Sequence, residues 1–234
     1  MKIIFVFAHP DDESFSSGGT IAKLAKEGNI VKLITATRGE AGQLGNPPIT
    51  TKENLGKTRE EELKKVAEIL GISKIYFLDL KDGTLSKIPK KLLIDKIHSI
   101  LQLEKPDVVI TFNKEGGSRH PDHMRISLCA TEAFEKYLRR TRKHVRLYHS
   151  EIPKTLLKKL SQDGTDYKAF GKIMGTHLSR ITTVIDISDT LDLKIKAIKC
   201  HKTQNKDWER YLKRMNYKEF KYEYFSLISE NNIK

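Results

Sequence analysis

The chain has 234 residues, a formal net charge of +13, 38% hydrophobic and 31% charged residues, which suits one α/β domain with room for a substantial core. No apolar run nears the ~18 residues of a membrane span, and the N-terminus turns acidic too early for a signal peptide. Two cysteines, Cys129 and Cys200, are too few for a disulfide framework and fit thiols of a reducing compartment, so a cytoplasmic protein is expected.

Strand and helix patterns alternate along the chain. Lys2–Ala8 reads as a buried strand and ends at His9-Pro10-Asp11-Asp12-Glu13. A helix is expected over Gly19–Glu27 and a strand over Val31–Ala36. Residues 42–51, with Gly45, Pro47 and Pro48, read as a loop on the edge that carries the pentad, suited to a lid or to a plain surface connection. Leu55–Leu70 is the clearest helix, with Leu63, Val66, Ala67 and Leu70 on one face and Gly71 as its stop. A strand follows at Ile75–Leu78 and a helix at Pro89–Gln102. The strand Val108–Phe112 precedes a second cluster, His120-Pro121-Asp122-His123, and a helix over His123–Leu138. Strands at Val145–His149 and Thr182–Ile187 and a helix at Leu191–His201 complete the pattern. Such alternation implies a Rossmann-like, mainly parallel sheet with helices on both faces, in a single domain over residues 1–234.

The two clusters follow strands, at the carboxyl edge where open α/β sheets place their sites. A catalytic zinc takes three protein ligands and keeps one position open. His9, Asp12 and His123 supply two imidazoles and a carboxylate, a set suited to Zn²⁺, with another divalent transition metal as the alternative. Asp11 is then a spare carboxylate placed for general base catalysis. His120 is a spare imidazole able to polarise a carbonyl, stabilise an oxyanion or protonate a leaving group. Asp122 either holds a ligand ring in its working tautomer or caps the following helix. A dinucleotide site fails on detail: Ser16-Ser17-Gly18-Gly19-Thr20 lacks the Gly-x-Gly-x-x-Gly spacing.

At these residues the chain resembles the PIG-L/LmbE-like N-acetylglucosamine deacetylase family. Ala8 to Glu13 matches the family's first signature and His120 to His123 its second. Gly18–Thr20, Thr37–Gly42, Arg59-x-x-Glu62, Asp82-Gly83, His201-x-x-Gln204 and Glu223-Tyr224-Phe225 also look like it. The match weakens over residues 205–234, expected as a helix and a closing strand. The resemblance implies a zinc-dependent hydrolase that removes an N-acetyl group from a small amino-sugar conjugate. It implies His9, Asp12 and His123 as ligands, Asp11 as base, and His120 as the group that stabilises the tetrahedral intermediate. It further implies sugar contacts at Arg59 and Asp82, a substrate contact at Glu40 and a place near the pocket for His201.

Rival readings are an amidase acting on thiol conjugates or on another N-acylated amino sugar, and a non-enzymatic binding protein. The positive charge is spread along helix faces, as at Lys57, Lys64 and Lys91, with acids interleaved at Glu60, Glu61 and Glu62. That is a solvated face, so no nucleic-acid partner is expected. Basic and aromatic residues interleave from Trp208 to Tyr222, which reads as packing on the core or as a contact in a homo-oligomer. Arg59 has its own plain alternative, an ion pair with Glu60 or Glu62 along its helix.

Overall fold

β1 (Lys2–Phe7) and β4 (Val108–Phe112) are buried along almost their whole length, as continuous apolar runs require when both faces of a sheet are covered. The structure is a computed structural model and describes residues 1–162, 175–213 and 218–231. The other strands are β2 (Ile30–Thr35), β3 (Ile72–Phe77), β5 (Arg146–Glu151), β6 (Thr183–Asp186) and β7 (Tyr222–Glu230). The helices are α1 (Asp12–Lys26), α2 (Leu55–Leu70), α3 (Lys90–Glu104), α4 (Pro121–Leu138), α5 (Lys154–Gln162), α6 (Leu191–Cys200) and α7 (Asn205–Leu212).

One seven-stranded sheet runs in the order β3-β2-β1-β4-β5-β7-β6. The first five strands are parallel, while β7 runs antiparallel to both β5 and β6. The order reverses between β1 and β4, which opens a crevice at their carboxyl ends. α1 and α2 follow strands that step toward one edge, α3 and α4 strands that step toward the other. Right-handed crossovers therefore put the two pairs on opposite faces. α6 packs on α1 and α2, and α3 packs on α4. This is the α/β architecture expected from the alternation. Among the described residues no helix is long and apolar enough to cross a membrane.

Two helices start earlier than their periodicity suggests. The helix expected from Gly19 begins at Asp12, because Asp11 takes a left-handed turn (φ 115°) straight off β1. Asp12 and Glu13 then occupy the first turn, where the helix dipole favours negative charge. Glu13 Oε2 also accepts the Asp11 N–H at 3.0 Å, fixing that turn. α4 begins at Pro121, a residue preorganised for the first helical position. Its N-cap is His120, whose Nδ1 accepts the Asp122 N–H at 3.3 Å. Asp122 is therefore not the cap. β3 starts at Ile72, three residues before the expected Ile75.

The closing strand β7 is tied to α6 and α1 around a buried ion pair. Lys194 Nζ lies 2.5 Å from Glu223 Oε1. Glu223 also accepts the backbone N–H groups of Gly19 (3.1 Å) and Thr20 (2.8 Å) inside α1. Gly19 is required here, since a Cβ would fall 2.5 Å from Ile187 Cδ1. Removing one partner of such a pair strands a buried charge. Lys194→Met is therefore expected to cost about 3–5 kcal/mol of stability, read from urea unfolding.

Candidate metal centre and active site

The pentad leaves β1 and the second cluster leaves the loop after β4, and the crevice between these strands brings them together. His9 Nδ1 lies 3.1 Å from His123 Nε2. Asp12 Oδ1 is 3.2 Å from His123 Nε2, and Asp12 Oδ2 is 3.6 Å from His9 Nδ1. Donors bound about 2.0–2.1 Å from one tetrahedral ion would be separated by roughly 3.3 Å. The two inward nitrogens thus lie at about that separation, with the Asp12 carboxylate beside both, Oδ1 facing His123 and Oδ2 facing His9.

The far side of each ring fixes which nitrogen faces inward. His9 Nε2 lies 2.9 Å from Asp82 Oδ1 and 3.4 Å from Asp122 Oδ2, so it donates outward and leaves Nδ1 for a metal. His123 Nδ1 donates to the Gly116 carbonyl at 3.0 Å, which leaves Nε2. Phe112 stacks on the His123 ring, with centroids 4.4 Å apart and planes 5° from parallel. Gly116 turns at φ 64°, and a Cβ there would sit 2.7 Å from His123 Cβ, so only glycine lets the loop close on this ligand. Asp12 Oδ2 accepts the N–H groups of Ala8 (3.1 Å) and His9 (2.7 Å).

Protonation follows the same geometry. Burial opposes charge on His9, but hydrogen bonds to Asp122 and Asp82 and the Asp12 carboxylate push its pKa up to about 10. Burial, then the charges of His9 and His120, push His123 down to about 3. The two rings in contact are thus pushed in opposite directions, His9 toward its charged form and His123 toward its neutral one. Among the described residues two groupings have three donor atoms all close to one another: His9 with His120 and His123, and His9 with Asp82 and Asp122. The second engages only the outward nitrogen of His9. The first adds the His120 ring to the two imidazoles already named, and three histidines are also a set that holds catalytic zinc; with His120 Nδ1 occupied as the cap of α4, its Nε2 is the nitrogen left for that role.

Asp82→Ala removes the nearer carboxylate behind His9. Metal affinity is expected to fall roughly 10–100-fold, measured by competition with a chromophoric chelator.

Asp11 sits beside these proposed ligands. Arg59 binds its Oδ2 at 2.9 Å and also donates to the carbonyls of Gly39 (3.0 Å) and Pro10. Burial, partly offset by Arg59, lifts Asp11 to about 6. The ion pair of Arg59 with Glu60 or Glu62 is not formed: Glu60 pairs with Arg38 and Lys64, and Glu62 accepts from Thr203.

A cavity of about 520 Å³ opens onto these groups and is lined by His9, Asp11, Asp12, Arg59, Asp82, His120 and His123, among others. Asp122, Glu40 and His201 do not line it. Asp122 accepts from the N–H groups of Gly83 (2.8 Å) and Leu85 (3.0 Å), so it ties the Asp82 turn to His9. Glu40 accepts the Asp82 N–H at 2.8 Å and steadies the same turn. His201 lies 3.0 Å from Glu13 Oε1, behind the carboxylate that holds the Asp11 turn. Glu40 and His201, expected near the substrate, stand one layer behind it.

Residues 42–51 are pinned as well as looped. Asn205 exchanges two hydrogen bonds with the backbone of Asn46, and Gln43 Nε2 donates to Asp207 at 2.7 Å. Sequence reasoning missed an apolar part of the cavity lining, formed by Phe15, Leu156, Leu157, Tyr211 and Phe220. Its one signal was the aromatic interleaving after Trp208. Of that segment, Arg214 and Tyr217 lie outside the described residues.

The PIG-L family model, described as GlcNAc-PI de-N-acetylase, matches residues 4–134. A 1D-myo-inositol 2-acetamido-2-deoxy-alpha-D-glucopyranoside deacetylase of Actinosynnema mirum is 30% identical, across 89% of this chain and 82% of its own. This chain belongs to the PIG-L family. A probable N-acetyl-alpha-D-glucosaminyl L-malate deacetylase of Bacillus subtilis is 29% identical, over 90% of this chain and 86% of its own. Among solved structures, the N,N'-diacetylchitobiose deacetylase of Pyrococcus horikoshii superposes with a TM-score of 0.66 at 25% identity, over 97% and 83% of the two chains. The 4-carboxy-2-hydroxymuconate hydratase of Pseudomonas putida has a TM-score of 0.72 at 20% identity, over 100% and 98%. That likeness is one of fold alone: the PIG-L scaffold also occurs in a protein named for another reaction. The residues at the crevice, not the sheet, must carry the functional argument.

Proposed function

We propose that this PIG-L protein is a zinc-dependent hydrolase that removes the N-acetyl group from a small N-acetylglucosamine-containing molecule. The observation that carries this reading is the approach of His9 Nδ1 and His123 Nε2 to each other and to the Asp12 carboxylate, with Asp11 beside them on the cavity wall. The donor set of two imidazoles and one carboxylate suits Zn²⁺. The deacetylase names of the relatives support the acetamide as the bond that breaks. A zinc ion bound there supplies Lewis acidity toward the carbonyl oxygen and makes a water nucleophilic at neutral pH.

The chain's own groups do the rest. Asp11 takes the water's proton as the C–O bond forms. His120 has its Nδ1 engaged as an acceptor, so its Nε2 carries the proton and donates to the developing oxyanion. The C–N bond then breaks with return of the Asp11 proton to the nitrogen, giving acetate and the free amine. Asp122 holds His9 in its tautomer. Asp82 both backs His9 and faces the cavity, where its carboxylate can accept from a sugar hydroxyl. Two unpaired cysteines, Cys129 and Cys200, support a reducing, cytoplasmic setting. Surface lysines such as Lys64, Lys91 and Lys136 are paired with acids, which favours a small-molecule substrate over nucleic acid.

The test is direct. Purified protein should contain zinc and release both acetate and free amine from methyl N-acetylglucosaminide. Absence of amine release from every N-acetylated amino sugar offered, in zinc-loaded protein, would reject the reading. Arg59 is a further discriminator. The family resemblance gives it to the sugar, but its hydrogen bonds go to Asp11 and the pentad backbone. Arg59→Ala is therefore expected to lower kcat/KM at least ~10-fold on the methyl glycoside and on plain acetamide alike. A loss confined to the sugar substrate would return Arg59 to sugar binding.

A further inference from the structure

The cavity is lined by more than the groups assigned to catalysis. Phe15 of α1, Ile152 just after β5, Leu156 and Leu157 of α5, Tyr211 of α7 and Phe220 also line it. Phe15 and Tyr211 meet edge to face with centroids 5.0 Å apart, and Tyr211 meets Phe220 in the same way at 5.5 Å. Elements far apart in the sequence thus contribute an aromatic cluster to a cavity that Asp11 and His120 also line.

Charge on the wall narrows the occupant. Among the described lining residues the only lysine or arginine side chains are Lys194 and Arg59. Both are engaged, Lys194 with Glu223 at 2.5 Å and Arg59 with Asp11 at 2.9 Å. Asp11, Asp12, Asp82, Glu151, Asp207 and Glu223 also line the cavity. Carboxylates therefore outnumber the cations among the described lining residues, and a carboxylate or phosphate on the substrate meets no free lysine or arginine among them. An uncharged apolar group needs no such partner and removes this surface from water.

We propose that the substrate carries an uncharged alkyl or aryl group beside its amino sugar, and that the Phe15–Tyr211–Phe220 cluster and the apolar residues lining the same cavity bind it. This deepens the deacetylase reading and rests on it. The group can be attached at the anomeric position or as a longer N-acyl chain. Both sources present the same chemistry to the wall.

The experiment compares the zinc-loaded protein on the methyl, octyl and malyl glycosides of N-acetylglucosamine and on the methyl glycoside of N-octanoylglucosamine. The octyl glycoside or the N-octanoyl compound should exceed the methyl N-acetyl compound in kcat/KM by at least ~10-fold. Which of the two does so assigns the source. The malyl glycoside should not exceed the methyl one. As a second readout, octyl glucosaminide should inhibit at least ~10-fold more tightly than methyl glucosaminide. Phe220→Ser and Tyr211→Ala should each lower the octyl-to-methyl ratio at least ~3-fold. Equal efficiency on the methyl, octyl and N-octanoyl compounds, or preference for the malyl glycoside, overturns this proposal and leaves the deacetylase reading standing. Failure to turn over any of the four rejects the deacetylase reading, and this proposal with it.

Discussion

Asp11→Asn is expected to keep its metal and lose turnover by roughly 10²–10⁴-fold, the usual worth of a positioned acid–base group. The substitution is nearly isosteric, and the amide oxygen can still accept from Arg59, which holds Asp11 Oδ2 at 2.9 Å. The left-handed backbone at this position (φ 115°) is one that asparagine tolerates well. His9, Asp12 and His123 are untouched, so metal content should stay at the wild-type level by elemental analysis. Only the capacity to take a proton is removed. An Asp11→Asn protein with normal metal and near-normal kcat would show that another group, His120 being the nearest in kind, is the base.

His9→Ala should instead lose the metal itself. Its Nδ1 is one of the three proposed metal donors, and its Nε2 lies against the Asp82 and Asp122 carboxylates behind it. With the ring gone, Asp82, Asp122 and Asp12 lose their shared partner, and two ligands cannot replace three. A metal that binds only the folded state stabilises it by about 2.7 kcal/mol at a free concentration 100 times its dissociation constant. Wild-type protein should therefore gain Tm when zinc is restored after chelation, and His9→Ala should gain none. Activity should be undetectable in the variant at any zinc concentration that leaves the protein soluble. Equal thermal shifts in both proteins would place the metal elsewhere.

The parts of this site legible in the sequence are those that local pattern delivers. Apolar runs marked β1 and β4, and with Leu55–Leu70 and Val108–Phe112 the element bounds themselves were readable. Strand ends in an open parallel sheet converge by topology, so two polar clusters at such ends could be paired without knowing a distance. What local pattern cannot carry is the layer behind. Glu13 meets His201 across 188 positions, Glu62 meets Thr203 across 141, and Asp122 meets Gly83 across 39. Each is a polar side chain satisfied by a partner that periodicity does not announce. The early start of α1 has the same origin: Asp12 and Glu13 look like loop residues until the strained Asp11 turn, held by Glu13, is seen. The aromatic wall of the cavity was visible as composition around Tyr211, but its direction came only from contact with Phe15.

The central claim is that His9, Asp12 and His123 hold one zinc ion on which amide hydrolysis depends. The measurement is a titration of zinc into chelator-stripped protein, following acetate release from methyl N-acetylglucosaminide alongside bound metal. Activity should be absent at the start, rise in proportion to bound zinc and stop rising at a single equivalent. Full activity in the stripped protein, or saturation of the metal with no acetate released, would contradict the account.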